Sequence, residues 1–267
     1  MTAGFTHDHA LVAAAVREAG DIARRYYNGN VESWEKKPGD PVSEADLAID
    51  SFLKERLMTA RPDYGWLSEE TADDSSRLEK SRVWVVDPID GTRSFIAKKP
   101  EFTICAALVE DGLPILGIVY NPILEEFYEA ESGQGAFLNH EKITCNTRTD
   151  LDGATLLTSR KTFEWHGWIE EVPGASFSHV NSIAYRMVKV ASRHVDASLS
   201  FAAKSDWDIA AADIILSEAG GLSTTTSGDP HFYNRDTVVH RNVISCGKSL
   251  HPRLMEMLTS FGNEKKN

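Results

Sequence analysis

The stretch Val83-Trp84-Val85-Val86-Asp87-Pro88-Ile89-Asp90-Gly91-Thr92 decides how this sequence is read. Its four leading apolar residues predict a buried strand, and Pro88 and Gly91 predict where that strand stops. Two aspartates separated by Pro-Ile are thereby delivered at the strand's C-terminal end, where side chains can point into a cleft. Asp, Pro and Gly are also common turn formers, so turn chemistry alone could account for the order. The joint pattern points further, to an oxygen-rich site for a hard cation such as Mg²⁺, which takes carboxylates and carbonyls and keeps several waters. Residues 93–97 then predict a short helical turn whose free N–H groups face an anion beside the cation.

Outward from this stretch, Asp46, Glu69 and Asp208 join Asp87 and Asp90 as acids at the edges of predicted elements. Each has a plainer local reading. Asp46 and Asp208 lie three residues after Ser43 and Ser205 and could merely complete helix caps. Glu69 and Glu70 could be a solvated loop pair. Softer metals lack their ligands: the 9 histidines show neither H-x-x-x-H nor H-E-x-x-H spacing, and His7-Asp8-His9 is expected in a frayed terminus. Metal ions beside an anion cradle imply phosphate chemistry with water as nucleophile. There is no G-x-S-x-G and no P-loop, and Gly133-Gln134-Gly135 lacks the third glycine of a dinucleotide fingerprint. Kinase, NTPase, serine hydrolase and dehydrogenase readings fall.

The rest of the chain is organised around this core. Residues 8–27 and 47–57 carry apolar positions at helical spacing, the second run opening on Ser43 and Asp46 and ending near Pro62. Short apolar runs at 83–86, 103–109, 115–120 and 126–130 predict strands, with a hairpin at Glu110-Asp111-Gly112. Strands at 155–158, 195–199 and 243–246 then alternate with helices at 182–193, 207–219 and from 252, with Gly220-Gly221 ending a helix. This pattern predicts an α+β half over 1–150 carrying most metal ligands and an α/β half over 151–267 completing the site.

With 267 residues, 42% hydrophobic and 25% charged, the chain has the composition of a folded globular protein. Its formal charge of −12 argues against binding a nucleic-acid polymer, so a small anionic substrate needs a local cation. The 3 cysteines (Cys105, Cys145, Cys246) are expected as buried thiols. MTAGFTHDHA lacks a basic stretch followed by an apolar run, and no 18-residue apolar segment occurs. A cytoplasmic protein without a membrane partner is expected.

Four separated pieces now matter in order: Asp40-Pro-Val-Ser-Glu-Ala-Asp46, Leu67-Ser-Glu-Glu70, Asp87-Pro-Ile-Asp-Gly-Thr92, and Trp207-Asp-Ile-Ala-Ala211 running into Glu218-Ala-Gly-Gly221. Together they resemble the inositol monophosphatase superfamily of Mg²⁺-dependent, lithium-sensitive phosphatases, over nearly the whole chain. The resemblance implies an α+β fold, a layered αβαβα sandwich of the inositol monophosphatase / fructose-1,6-bisphosphatase type, usually a homodimer. It implies two or three Mg²⁺ per site. Glu69, Asp87 and the Ile89 carbonyl hold one; Asp87, Asp90 and Asp208 hold a second; Glu69 helps hold a third, looser ion. Thr92, hydrogen-bonded to Asp46, orients the attacking water, so Asp46, Thr92 and Glu69 form the catalytic group. Ile89, Asp90, Gly91, Thr92 and Asp208 meet the substrate, the Gly91 and Thr92 amides taking its phosphate, and Glu70 supports the ligands from behind.

Shared acids do not separate the substrates of such enzymes. In inositol monophosphatases a glutamate several residues before the Trp-Asp pair contacts inositol hydroxyls, yet residues 198–204 (SLSFAAK) offer no carboxylate. Residues 91–96, 101–103 and 114–120 look closer to bacterial 3'(2'),5'-bisphosphate nucleotidases, although the Gly-Pro-Thr-like stretch of those enzymes is missing and Glu218-Ala-Gly-Gly221 looks like an inositol phosphatase. The reading leans to hydrolysis of 3'-phosphoadenosine 5'-phosphate to AMP and phosphate, with Lys204 or Arg93 available for a second phosphate. Inositol 1-phosphate or a related sugar phosphate is the alternative. A regulatory partner of transcription or ribosome-assembly machinery is the alternative of another class.

Overall fold

The computed structural model describes residues 6–260, arranged in five layers. The outer layer holds helices α1 (His7–Asn28) and α2 (Glu44–Ala60). Between them a short hairpin, β1 (Ser33–Lys37) and β2 (Asp40–Ser43), leads into α2. The first sheet has seven strands in chain order: β3 (Gly65–Ser68), β4 (Arg82–Asp90), β5 (Thr103–Glu110), β6 (Leu113–Asn121), β7 (Glu126–Glu131), β8 (Gly135–Leu138) and β9 (Glu141–Ile143). Only β3 and β4 run parallel. The short helix α3 (Thr92–Ile96) follows β4.

The remaining elements build the other layers. Strands β10 (Thr155–Leu157), β11 (Ser176–Ser178) and β12 (Ala197–Ser200) and helices α4 (Arg160–His166) and α5 (Ile183–Ala191) come first. Then follow β13 (Lys204–Ser205), α6 (Asp206–Glu218), β14 (Gly221–Thr224), β15 (Val239–His240), β16 (Val243–Gly247) and α7 (His251–Ser260). The second sheet has the order β11-β10-β12-β16-β14 and is mixed: β10 is parallel to both its neighbours, whereas β16 is antiparallel to both of its own.

Strand alternation explains the layering. In β4, Trp84 and Val86 join the core under α1 and α2, while Val83 and Val85 join the core under α5 and α6. Both faces of the sheet are therefore apolar, and both must be covered. The second sheet packs Leu156, Leu199, Ile244 and Cys246 against Phe163 of α4 and Leu254 and Met257 of α7. The result is the expected layered αβαβα sandwich. Close approach of α6 to the first sheet depends on Gly117, where a Cβ would lie 2.3 Å from the Ala211 carbonyl oxygen.

Several local expectations meet the structure directly. Asp111 and Gly112 take φ of 51° and 79°, the left-handed conformations of a two-residue hairpin turn joining β5 to β6. All three cysteines are free and buried. One expectation is corrected: His7-Asp8-His9 is not frayed. Thr6 caps α1 by accepting from the His9 amide, and the buried Asp8 accepts from Arg61 (2.6 Å) and the Tyr64 hydroxyl (2.8 Å). A partner from α2's far end makes this first turn part of the core, which spacing alone does not reveal. Residues 1–5 of the N-terminal stretch and the last residues of the 151–267 half lie outside the described residues. Among the described residues no helix is long and apolar enough to cross a membrane.

Candidate active site

The site begins with an irregularity in β4. Asp87 pairs with Cys105 of β5 but Asp90 pairs with Thr103, so β4 carries one extra residue between the aspartates. Pro88 lies within that interval and has no N–H for the ladder. In a regular strand residues 87 and 90 would point to opposite faces; the bulge brings both to one cleft. Gly91 at φ 100° then turns the chain into α3, a conformation that strains a side chain, and Glu101 and Ser182 backbone atoms within 3.3 Å would crowd an added Cβ.

The third acid arrives from α6. Ser205 and Asp208 form a capping box, with the Ser205 amide donating to Asp208 Oδ2 at 2.5 Å. The capping and site readings of this residue are therefore compatible, since capping leaves the other oxygen free. One carboxylate oxygen from each of Asp87, Asp90 and Asp208 lies within 4.8 Å of the others. Asp46 shows the same economy on α2. Its Oδ2 accepts from the Ser43 amide (2.9 Å) and hydroxyl (2.5 Å), while Oδ1 faces the Thr92 hydroxyl at 3.1 Å. Thr92 Oγ1 also lies 3.0 Å from the Ile89 carbonyl.

Burial shapes the electrostatics. Burial first, then the charges of Glu69, Asp90 and Asp208, push the Asp87 carboxyl well above its ordinary range. Asp208 is pushed up to about 7, by burial and then by Asp90. Burial also raises Asp90, even though Ser182 Oγ (2.6 Å) and the Ala184 amide (2.7 Å) donate to it. Asp46 is pushed up to about 6 by burial, against its bonds from Ser43 and Thr92. Asp87 Oδ1 accepts from the Ile89 amide at 3.0 Å, but its buried Oδ2 has no hydrogen-bond partner. An orphaned carboxylate oxygen among mutually repelling acids, in an all-oxygen donor set, fits a hard divalent cation.

Residues 7–261 match the profile of the Inositol monophosphatase family. The chain belongs to that family. Family members are phosphatases, and so is this protein. A relative named inositol-1-monophosphatase in Caulobacter vibrioides is 32% identical over 93% of this chain and 99% of its own. One named 3'(2'),5'-bisphosphate nucleotidase CysQ, in Aggregatibacter actinomycetemcomitans, is 28% identical over 90% of this chain and 92% of its own. Among solved structures, the extragenic suppressor protein suhB of Bartonella henselae superposes with a TM-score of 0.81 at 26% identity, covering 94% of this chain and 97% of that one.

Within the cleft lined by Asp40, Glu69, Asp87, Asp90, Thr92 and Asp208 among others, the anticipated residues divide into two groups. Asp87, Asp90 and Asp208 cluster tightly. Glu69 lines the same cleft, but its Oε1 pairs with Lys36 Nζ at 3.0 Å, and the same amine holds Glu70 Oε1 at 2.8 Å. Glu70 is no solvated loop residue: its side chain is 4% exposed, and burial pushes its carboxyl up to about 7. Lys36 was invisible to sequence reasoning because it sits in a polar, Gly- and Pro-bearing stretch whose pairing as a hairpin carries no strong apolar signal.

Arg93 lines the cleft, and two further cations, Lys204 and Arg186, act on its acids. Arg93 donates to the Gly39 carbonyl, tying α3 to the β1–β2 turn. Lys204 lies close enough to Asp90 and Asp208 to oppose the rise in both. Arg186 of α5, also missed, is 6% exposed and acts on Asp90. Its Nε has no hydrogen-bond partner and its Nη2 reaches only the Asn181 carbonyl, at 3.4 Å. In the stretch without a carboxylate before Trp207, Phe201 packs its ring 5.5 Å from Trp168.

Proposed function

We propose that this phosphatase uses Mg²⁺ to hydrolyse a small phosphate monoester by attack of water. The observation that supports this reading is the bulged end of β4, which sets Asp87, with its orphaned Oδ2, beside Asp90 and Asp208. Asp87, Asp90, Asp208, Glu69 and the Ile89 carbonyl would hold the ions, which when bound lower the pKa of water and polarise the phosphoryl group. In this reading the 1–150 half supplies all but one of these ligands and the 151–267 half adds Asp208.

The chain's own contribution is orientation. The Thr92 hydroxyl has a single proton and two acceptors at hand, Asp46 Oδ1 and the Ile89 oxygen. When the Thr92 hydroxyl donates its hydrogen bond to Asp46, its lone pairs are left to accept from the attacking water and align it. The Gly91 and Thr92 amides precede the first helical hydrogen bonds of α3 and are free to donate to the phosphate. Glu70, held by Lys36, steadies Glu69 from behind.

For the substrate we favour a doubly anionic nucleotide, 3'-phosphoadenosine 5'-phosphate. The under-partnered Arg186 guanidinium, which like Lys204 acts on Asp90, supports that choice, because a buried cation short of acceptors favours a second anionic group. The 32% identity to a relative named inositol-1-monophosphatase supports inositol 1-phosphate as the second reading. Phosphate release with Mg²⁺ on 3'-phosphoadenosine 5'-phosphate, inositol 1-phosphate and fructose 1,6-bisphosphate, with EDTA and lithium controls, separates them. Preference for the nucleotide is expected, with a raised KM in Arg186→Met for that substrate alone. Preference for inositol 1-phosphate moves the assignment to the second reading, and silence on all three overturns both.

A further inference from the structure

Asp50 is a buried carboxylate that nothing above employs. It lies on α2 one turn after Asp46, so the two acids share a helix face. Its Oδ1 accepts from the Ser68 hydroxyl at 2.5 Å and its Oδ2 from the Thr71 hydroxyl at 2.7 Å. Ser68 and Thr71 are the residues immediately before Glu69 and after Glu70. One carboxylate thus grips both ends of the segment that carries the two glutamates.

The grip is extended by further bonds. Ser68 Oγ receives the Glu70 amide at 3.5 Å, and Thr71 Oγ1 receives the Trp66 indole N–H at 3.3 Å. The Glu69 amide meets the Val86 carbonyl, next to Asp87, at 3.4 Å. Asp46, one turn back, holds Thr92. Helix α2 therefore ties two parts of the site together, with Thr92 held at one turn and the Glu69-Glu70 segment at the next.

We infer that Asp50 is a positioning residue that sets the Glu69 carboxylate for the divalent cation, acting through Ser68 and Thr71. The inference rests on the metal-dependent reading above and adds a residue outside the ligand set. Partners that orient a metal ligand typically contribute about 10- to 100-fold in metal affinity. Asp50→Asn keeps an acceptor for Ser68 and offers Thr71 a donor, whereas Asp50→Ala removes both grips.

The experiment titrates Mn²⁺ into metal-free full-length protein without substrate, following free Mn²⁺ by electron paramagnetic resonance. Asp50→Ala should bind about tenfold more weakly than wild type. Its Mg²⁺ activation constant should rise by the same factor, with kcat at saturating Mg²⁺ near wild type, and Asp50→Asn should recover most of the loss. Should Asp50→Ala not fold, Thr71→Val removes one grip alone and should still weaken Mn²⁺ binding. A purely structural Asp50 would lower the melting temperature and leave Mn²⁺ affinity unchanged in every folded variant, and that result overturns the inference while sparing the metal-dependent reading. Wild-type protein that binds no Mn²⁺ overturns the reading and the inference together.

Discussion

Glu126, at the start of β7, and Asp87, near the end of β4, are carboxylates withdrawn from water on the same sheet, and they meet that withdrawal in opposite ways. Burial acts to raise Glu126, but Tyr185 (2.7 Å), Lys189 (3.0 Å) and Tyr128 (3.0 Å) donate to it and leave it below its ordinary range. Asp87 has one amide donor, an orphaned oxygen and four acidic neighbours, Glu69, Asp90, Asp208 and Asp46, that add to the effect of burial. A carboxylate whose charge the chain itself neutralises holds the fold together. One whose charge the chain leaves exposed to other acids is suited to an external cation.

The largest consequence of this contrast is expected at Asp208. Asp208→Asn should lower Mg²⁺-dependent phosphate release about a thousandfold or more, because a misplaced metal forfeits several kcal/mol of charge stabilisation. Its metal-free melting temperature should not fall, since one of three repelling acids has been neutralised. Turnover near wild type would remove Asp208 from the ligand set.

Thr92→Ala comes next, with a loss of about 10²- to 10³-fold in kcat, in the range for removing a group that aligns the nucleophile's proton. Calorimetric Mg²⁺ affinity should be retained. Lost affinity would instead make Thr92 a support of the Ile89 carbonyl.

A smaller effect concerns pH. The Asp208 carboxyl sits at about 7 in the folded state against an ordinary 3.8, so between those values the folded state holds the proton more tightly than the unfolded state. The stability of metal-free protein should therefore fall as pH rises from about 4 to 7, by a few °C in melting temperature. Saturating Mg²⁺ should flatten the slope. A metal-free protein whose melting temperature climbs across that range would contradict the repulsion.

The smallest effect belongs to the other side of the contrast. Glu126→Gln should cost about 1–3 kcal/mol in urea unfolding, the range for disturbing hydrogen bonds to a charged group, here a half-buried one. Activity per folded molecule should be unchanged. A selective loss of kcat would mean that Glu126 is coupled to the site.

Local chemistry made much of this legible. Periodicity identified α1 and α2, and the Asp111-Gly112 turn identified its hairpin, because those signals come from neighbours in the chain. The short strands β1, β3, β8, β9 and β11 escaped notice, since segments of a few residues take their stability from partners that are distant in sequence. The order of residues also marked Asp46, Asp87, Asp90, Thr92 and Asp208 as worth attention, but not whether each served as a cap or in a site. For Asp46 and Asp208 the two readings are compatible, because a capping box occupies one carboxylate oxygen and leaves the other for a second partner.

The sequence by itself determined the family, with the layered fold that the resemblance implies, and the acidic residue types at the ends of elements. Tertiary structure decided what those residues meet. A bulge at Pro88 turned two aspartates to one side, Lys36 reached the glutamates from a separate hairpin, and Asp50 gripped the loop that carries them. These pairings join residues up to some tens of positions apart through hydrogen bonds and charge. Such forces act through space, so they leave no periodic trace along the chain.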